Sequence, residues 1–169
     1  MIEIVTPASS TDLTTFDAVS SRIGAVDLTK EEQINQLIKY ATDLIQSYCH
    51  QIFAQEKVKE TLPGFGMPTM SLERAPIVSI ESAAFNGVAK SDVSIYDNRA
   101  GLIYCDSGFE NTAKFHQGIT ATPVPNSEEL LHEIIYTGGY ILPSMDSATR
   151  NLPYDIEEAA IEIVRDQYE

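Results

Sequence analysis

Apolar residues recur at intervals of three and four in three stretches of the chain, and at intervals of two in the region between the second and the third. Leu13, Phe16, Val19 and Ile23 share one face of a predicted helix over 10–23, with Ser9, Ser10 and Thr11 as N-cap candidates and Gly24 as its stop. The clearest pattern covers 30–51. Ile34, Leu37, Ile38, Ala41, Leu44, Ile45, Tyr48, Cys49 and Ile52 trace an apolar stripe, with Lys39, Asp43 and Gln46 opposite. Thr29 followed by Glu32 reads as a capping box, in which hydroxyl and carboxylate each satisfy a free backbone N–H. A closing helix is predicted over 153–168. Pro153 suits its first turn, Asp155, Glu157 and Glu158 sit where the helix dipole favours negative charge, and Ile156, Ala159, Ala160, Ile163 and Val164 form its buried stripe.

After Phe53 the period shortens, and runs rich in Val, Ile and Tyr alternate with turn residues. Val58–Leu62 is one expected strand, ended by Pro63-Gly64-Phe65-Gly66; Met70 and Leu72 mark another. Ile77–Phe85 leads into Asn86-Gly87, a hairpin signal because both residues tolerate positive φ. Val93–Tyr96 is expected to pair with Leu102–Cys105, and His132–Thr137 is the last strand, ended by Gly138-Gly139. Residues 106–127 lack periodicity and read as a long loop, the first candidate for an inter-subunit contact. The expected fold class is α+β: a small helical bundle, two N-terminal helices plus a C-terminal helix, with a β-strand and hairpin insertion between the long helix and the last one. The expected organisation is a single domain over 1–169, with a helical core of 10–53 and 153–169 and a β insertion over 54–140.

A hydrophobic share of 43% in 169 residues suffices for one buried core and argues against disorder. The longest apolar runs fall far short of the ~20 residues that cross a bilayer. Met1-Ile2-Glu3-Ile4-Val5 has no basic region followed by a long apolar stretch, so no signal peptide is expected and the chain is expected to stay in the cytoplasm of the cell that makes it. Cys49 and Cys105, far apart in such a chain, read as free thiols, and Cys49 continues the apolar pattern as core filling. The net charge is −14, from 25 acidic and 11 basic residues. That balance argues against binding nucleic-acid phosphates: no basic patch exists, and Lys57 and Lys59 are flanked by Glu56 and Glu60. The plainest role for most of the acid is a solvated surface.

Catalytic and metal motifs are missing. No Gly-x-Ser-x-Gly, P-loop, His-Glu-x-x-His or Cys-x-x-Cys occurs, and His50, His116 and His132 are scattered. His132 and Glu133 are neighbours on a strand and point to opposite faces. No catalytic residue, metal or cofactor is expected, and the chain is not expected to be an enzyme. The segment 151–169 holds six acidic residues against one basic residue, which suits a solvated face, or one lining a channel, better than a cleft. Tyr136 and Tyr140, on either side of Thr137-Gly138-Gly139, read as packing elements.

Five stretches in order carry a resemblance: Tyr48-Cys49-His50-Gln51-Ile52-Phe53 at the end of the long helix, Arg74-Ala75-Pro76-Ile77-Val78-Ser79-Ile80 at a strand start, Asn98-Arg99-Ala100-Gly101-Leu102-Ile103-Tyr104 around a turn, Tyr136-Thr137-Gly138-Gly139-Tyr140, and Leu152-Pro153-Tyr154-Asp155-Ile156-Glu157-Glu158-Ala159 at the last helix start. Over nearly its whole length the chain resembles the head–tail connector (adaptor, head-completion) proteins of tailed bacteriophages. It departs from them in a longer 106–127 loop and a shorter end to the closing helix. The resemblance implies a structural virion protein of a phage or prophage. Its partners would be further copies of itself in a homo-oligomeric ring, the phage portal protein, a tail-side completion protein, and DNA that passes through the channel without specific binding. No membrane is implied, and the location would be the head–tail junction of the virion, with host cytoplasm during assembly. Under that reading Glu157, Glu158, Glu162 and Asp166 are candidate channel residues, and Phe115 and His116 candidate interface residues in the loop. The alternative from another class is an acidic protein-binding module such as a DNA mimic, for which the charge speaks. A small enzyme has only scattered carboxylates behind it.

Overall fold

Strands with alternating apolar positions pair with one another, and helices with apolar stripes bury them against one another, which divides the chain into two compact units. The computed structural model describes residues 1–24, 28–110, 131–146 and 148–168. In chain order its elements are β1 (Ile2–Thr6), α1 (Phe16–Ile23), α2 (Glu31–Cys49), β2 (Glu56–Leu62), β3 (Thr69–Ser71), β4 (Ile77–Phe85), β5 (Val88–Lys90), β6 (Val93–Asp97), β7 (Leu102–Cys105), β8 (His132–Gly138) and α3 (Tyr154–Tyr168), with a 3-10 turn at Leu28–Lys30. The class is mixed α+β, as expected. One unit comprises Met1–Pro7 and Glu56–Gly138; the other comprises Ala8–Gln55 and Gly139–Glu169.

The first unit holds two antiparallel sheets, ordered β1-β2-β8-β4-β5 and β3-β7-β6. β2 and β8 pair residue for residue from Glu56↔Gly138 to Leu62↔His132. Their alternation sends Val58, Glu60, Ile134 and Tyr136 into the core. Lys57 and Lys59 therefore take the other face, where Lys57 pairs with Glu81 and Lys59 with Glu133 at 3.0 Å. His132 is buried while Glu133 faces Lys59, the opposite orientation that neighbours on a strand require. The Asn86-Gly87 hairpin forms with both residues at positive φ, 49° and 76°. Ile103, Phe109, Ile77 and Leu72 complete the core. Each such side chain contributes about 1.5–3 kcal/mol on burial.

β1 is a strand that the pattern does not predict. It antiparallels β2 as the sheet's edge and exposes Ile4 and Val5, so no alternation of burial marks it. Residues 106–110 are a turn and irregular chain, as expected of a loop, but they are anchored to the unit. Gly108 N–H donates to Cys105 O at 3.0 Å, and Phe109, fully buried, donates its N–H to Met67 O at 2.9 Å. The remainder of the expected loop, 111–127, lies outside the described residues.

The second unit is helical. Its core combines Leu13, Val19, Ile34, Ile38, Ala41, Ile45, Leu142, Leu152, Ala160, Ile161 and Val164. α1 starts at Phe16 rather than at residue 10. Thr15 caps it by accepting from Ala18 N–H at 3.3 Å, and the preceding residues make side-chain bonds instead: Thr42 Oγ1 accepts from Leu13 N–H, and Ser10 Oγ from Asp12 N–H. Thr29 does not sit at an N-cap. It lies in the 3-10 turn, and Lys30 takes the cap position with no side-chain cap bond. α2 ends at His50 in the left-handed region, φ 51°. Phe53-Ala54-Gln55 then joins Tyr140 through bonds of 2.7 and 2.8 Å. Gly139 is needed there: a Cβ on it would lie 2.4 Å from Ala54 O, and its φ is +103°.

Candidate assembly surface

α3 carries most of the candidate residues read from the sequence. Its buried positions are Glu157, Ala160, Ile161 and Val164, with Ile161 taking the place predicted for Ala159, which is exposed. Glu157 is thus a core-facing carboxylate, 8% exposed, and not part of a solvated face. It pairs with Arg150, whose guanidinium also donates to Leu152 O at 3.0 Å and lies 4.3 Å from the Tyr154 ring centre. Pattern alone places Glu157 with the other acids because the partner that neutralises it, Arg150, stands outside the helix.

Glu158, Glu162 and Asp166 share the outer side of α3, spaced four apart. That face is not bare acid. Glu158 pairs with Arg22 of α1, and Arg165 bonds Glu162 at 3.0 Å and approaches Asp166 at 3.5 Å. Three carboxylates and two guanidinium groups make a strip of alternating charge. Phe115 and His116 lie outside the described residues.

α2 presents a second surface, part of which the pattern assigned to the core. Leu44 and Tyr48 of the expected stripe are exposed, Tyr48 to 86%, and Tyr40, which the stripe did not include, lies one turn before them and is exposed too. Cys49 is exposed as well, against the expectation of core filling. The stripe read from the sequence spans about 140° of the helix circumference, wider than the ~100° that one neighbouring layer covers. The excess width is the signal that could have separated these residues from Ile34, Ile38, Ala41 and Ile45, which are buried.

The first unit contains two polar clusters. In one, Tyr136, fully buried, donates its hydroxyl to Glu60 Oε2 at 2.7 Å and accepts Arg74 N–H at 2.9 Å, while Glu60 also accepts Glu73 N–H at 3.0 Å. Arg74 lies 3.8 Å from Glu56 within the same buried group. Burial, reinforced by Glu60, holds the Tyr136 phenol well above its ordinary pKa, so it remains a donor. Tyr136 is a packing element, as its place beside the glycine pair suggests, and Gly138 lets β8 pass where a Cβ would meet Arg74 O at 2.2 Å. In the other cluster, Asp92 accepts Ser107 N–H at 2.9 Å and the Cys105 thiol at 3.4 Å, and Lys90 bonds Glu110 at 2.9 Å. The hydroxyl and N–H of Ser107 hold the Asp92 carboxyl well below the usual range. Both clusters tie the turns of the sheets together. Among the described residues no group of three His, Cys, Asp or Glu side chains is placed to hold a metal.

No family model and no curated protein matches the chain. Its fold matches solved structures. One is a chain of the neck of an empty gene transfer agent particle computed with C6 symmetry, at TM-score 0.62 and 14% identity, covering 99% of this chain and 83% of that one. Another is a chain of the virion of a native gene transfer agent particle, at TM-score 0.63 and 14% identity, covering 99% and 84%. At this identity the likeness establishes a shared fold, over nearly all of this chain and most of those two.

Proposed function

We propose that this chain is a structural subunit of a phage, prophage or phage-like particle that assembles as a homo-oligomeric ring on the portal, extends the DNA channel and joins head to tail. The carrying observation is the fold match, over 99% of the chain, to a chain of a particle neck. It agrees with the five ordered stretches quoted from the sequence, which are turns, helix starts and packing residues rather than reactive groups. The polar clusters of the first unit and the ion pairs of α3 are engaged in structural roles, which supports action by assembly rather than catalysis. A ring needs a heterologous interface, in which each copy offers two different surfaces. The outer side of α3 and the segment after Glu110 are the two surfaces of this proposal. Arg22 and Arg165 leave the α3 strip nearly neutral, with charges of both signs that a neighbouring copy can pair.

Native mass spectrometry with and without the portal protein from the same genome tests this. A closed ring, or a stoichiometric complex with the portal, is expected. A monomer that ignores the portal would overturn the proposal and turn attention to basic partners of an acidic module.

A further inference from the structure

His132 is fully buried at the start of β8, stacked on Phe85 with ring centres 4.5 Å apart and met edge-on by Phe109 at 5.3 Å. Its Nε2 lies 3.3 Å from the carbonyl oxygen of Glu110. A carbonyl only accepts, so Nε2 carries the proton and Nδ1 is bare. Nδ1 is buried and has no hydrogen-bond partner among the described residues. The ring has room only because Gly64 lacks a Cβ, which would stand 2.6 Å from Nε2.

We propose that His132 is a proton-operated latch: neutral, it fastens the Phe109–Glu110 segment to β8, and protonated, it releases that segment. A second proton can enter only at Nδ1, where it would create a buried charge and a buried N–H that has no acceptor among the described residues. The charged groups facing the ring do not rescue it. Glu110 Oε2 is 3.7 Å away, but on the Nε2 side, and it is shared with the Lys90 ammonium of β5, which repels an imidazolium. β4 contributes only the Phe85 ring, and Glu133 of β8 points to the opposite face with Lys59. Burial accordingly holds the imidazole below its ordinary range despite the pull of Glu110. Glu110 and His132 are 22 positions apart in the sequence, so one bond ties the chain just after β7 to the start of β8. This inference does not depend on the assembly reading.

The test is NMR on the intact chain, following the His132 ring shift and the exchange protection of the Phe109 and Glu110 amides between about pH 7.5 and 5. The expected result is a His132 midpoint below about 6.5, with protection at 109–110 falling by about tenfold for each unit between the open-state and latched pKa values. The Tyr136 amide should keep its protection over that range. In His132→Phe, which keeps the aromatic stack and cannot titrate, protection at 109–110 should stay level. Glu110→Gln separates carboxylate from carbonyl: it should lower the midpoint and leave the latch working. An ordinary midpoint near 6.5 with unchanged protection, or the same pH response in His132→Phe, would overturn the proposal.

Discussion

At the scale of single residues, burial decides what each polar group does. Tyr136 satisfies a buried carboxylate and a buried backbone N–H with one hydroxyl. Tyr136→Phe leaves both short of a partner and is expected to cost about 1–3 kcal/mol in urea unfolding; wild-type stability would mean that water replaces the hydroxyl freely. The two neighbouring glutamates of α3 should differ in the same assay. Glu157 and Arg150 have side chains 11% and 15% exposed, so Glu157→Ala is expected to cost about 1–3 kcal/mol. Glu158 and Arg22 are nearly half exposed, and Glu158→Gln should stay within about 1 kcal/mol. Acid sensitivity should come in two windows. His132 has a lowered pKa, so its stability contribution is complete above about 6.5 and lost as pH falls below that value. Asp92, Asp146 and Glu110 are depressed carboxylates, whose contribution is complete above about 4.5 and lost further down. Melting temperatures from pH 7 to 3 should show both steps, and His132→Phe should remove the first alone.

At the scale of elements, Asp106–Glu110 belongs to the fold through Phe109, and a deletion that starts after Glu110 spares that ring. Deleting 111–127 behind a short linker should leave a cooperative unfolding transition near the wild-type midpoint, while weakening ring assembly if that segment is an interface. Deleting 106–127 also removes the buried Phe109 ring and should cost about 3–5 kcal/mol more. α2 likewise has two apolar sides with different work. Ile38→Ala, in the core, should cost about 2–5 kcal/mol, and Tyr48→Ser about 0.5 kcal/mol or less.

For the whole molecule, charge and assembly oppose each other. Copies carrying −14 repel when brought together, and salt at about 0.15 M screens that repulsion beyond ~8 Å. If the chain forms a ring, assembly should strengthen from low to moderate salt, as sedimentation velocity would show. A DNA mimic gripping a basic partner would instead weaken over the same range.

The sequence by itself determined the helices and most strands, because periodicity, Pro, Gly and Asn-Gly act over a few neighbouring residues. Ile77–Phe85 and the Val93–Cys105 ribbon needed no distant partner to be legible. It also determined the mixed class and the resemblance that the fold match supports. Tertiary structure alone decided the rest. Periodicity places a side chain on a face but does not say whether another layer covers it, so Cys49, Leu44 and Tyr48 face outward. Only β2 makes a strand of Ile2–Thr6, and only Arg150 makes a buried residue of Glu157. The His132–Glu110 contact joins positions 22 residues apart, a distance that no local pattern spans.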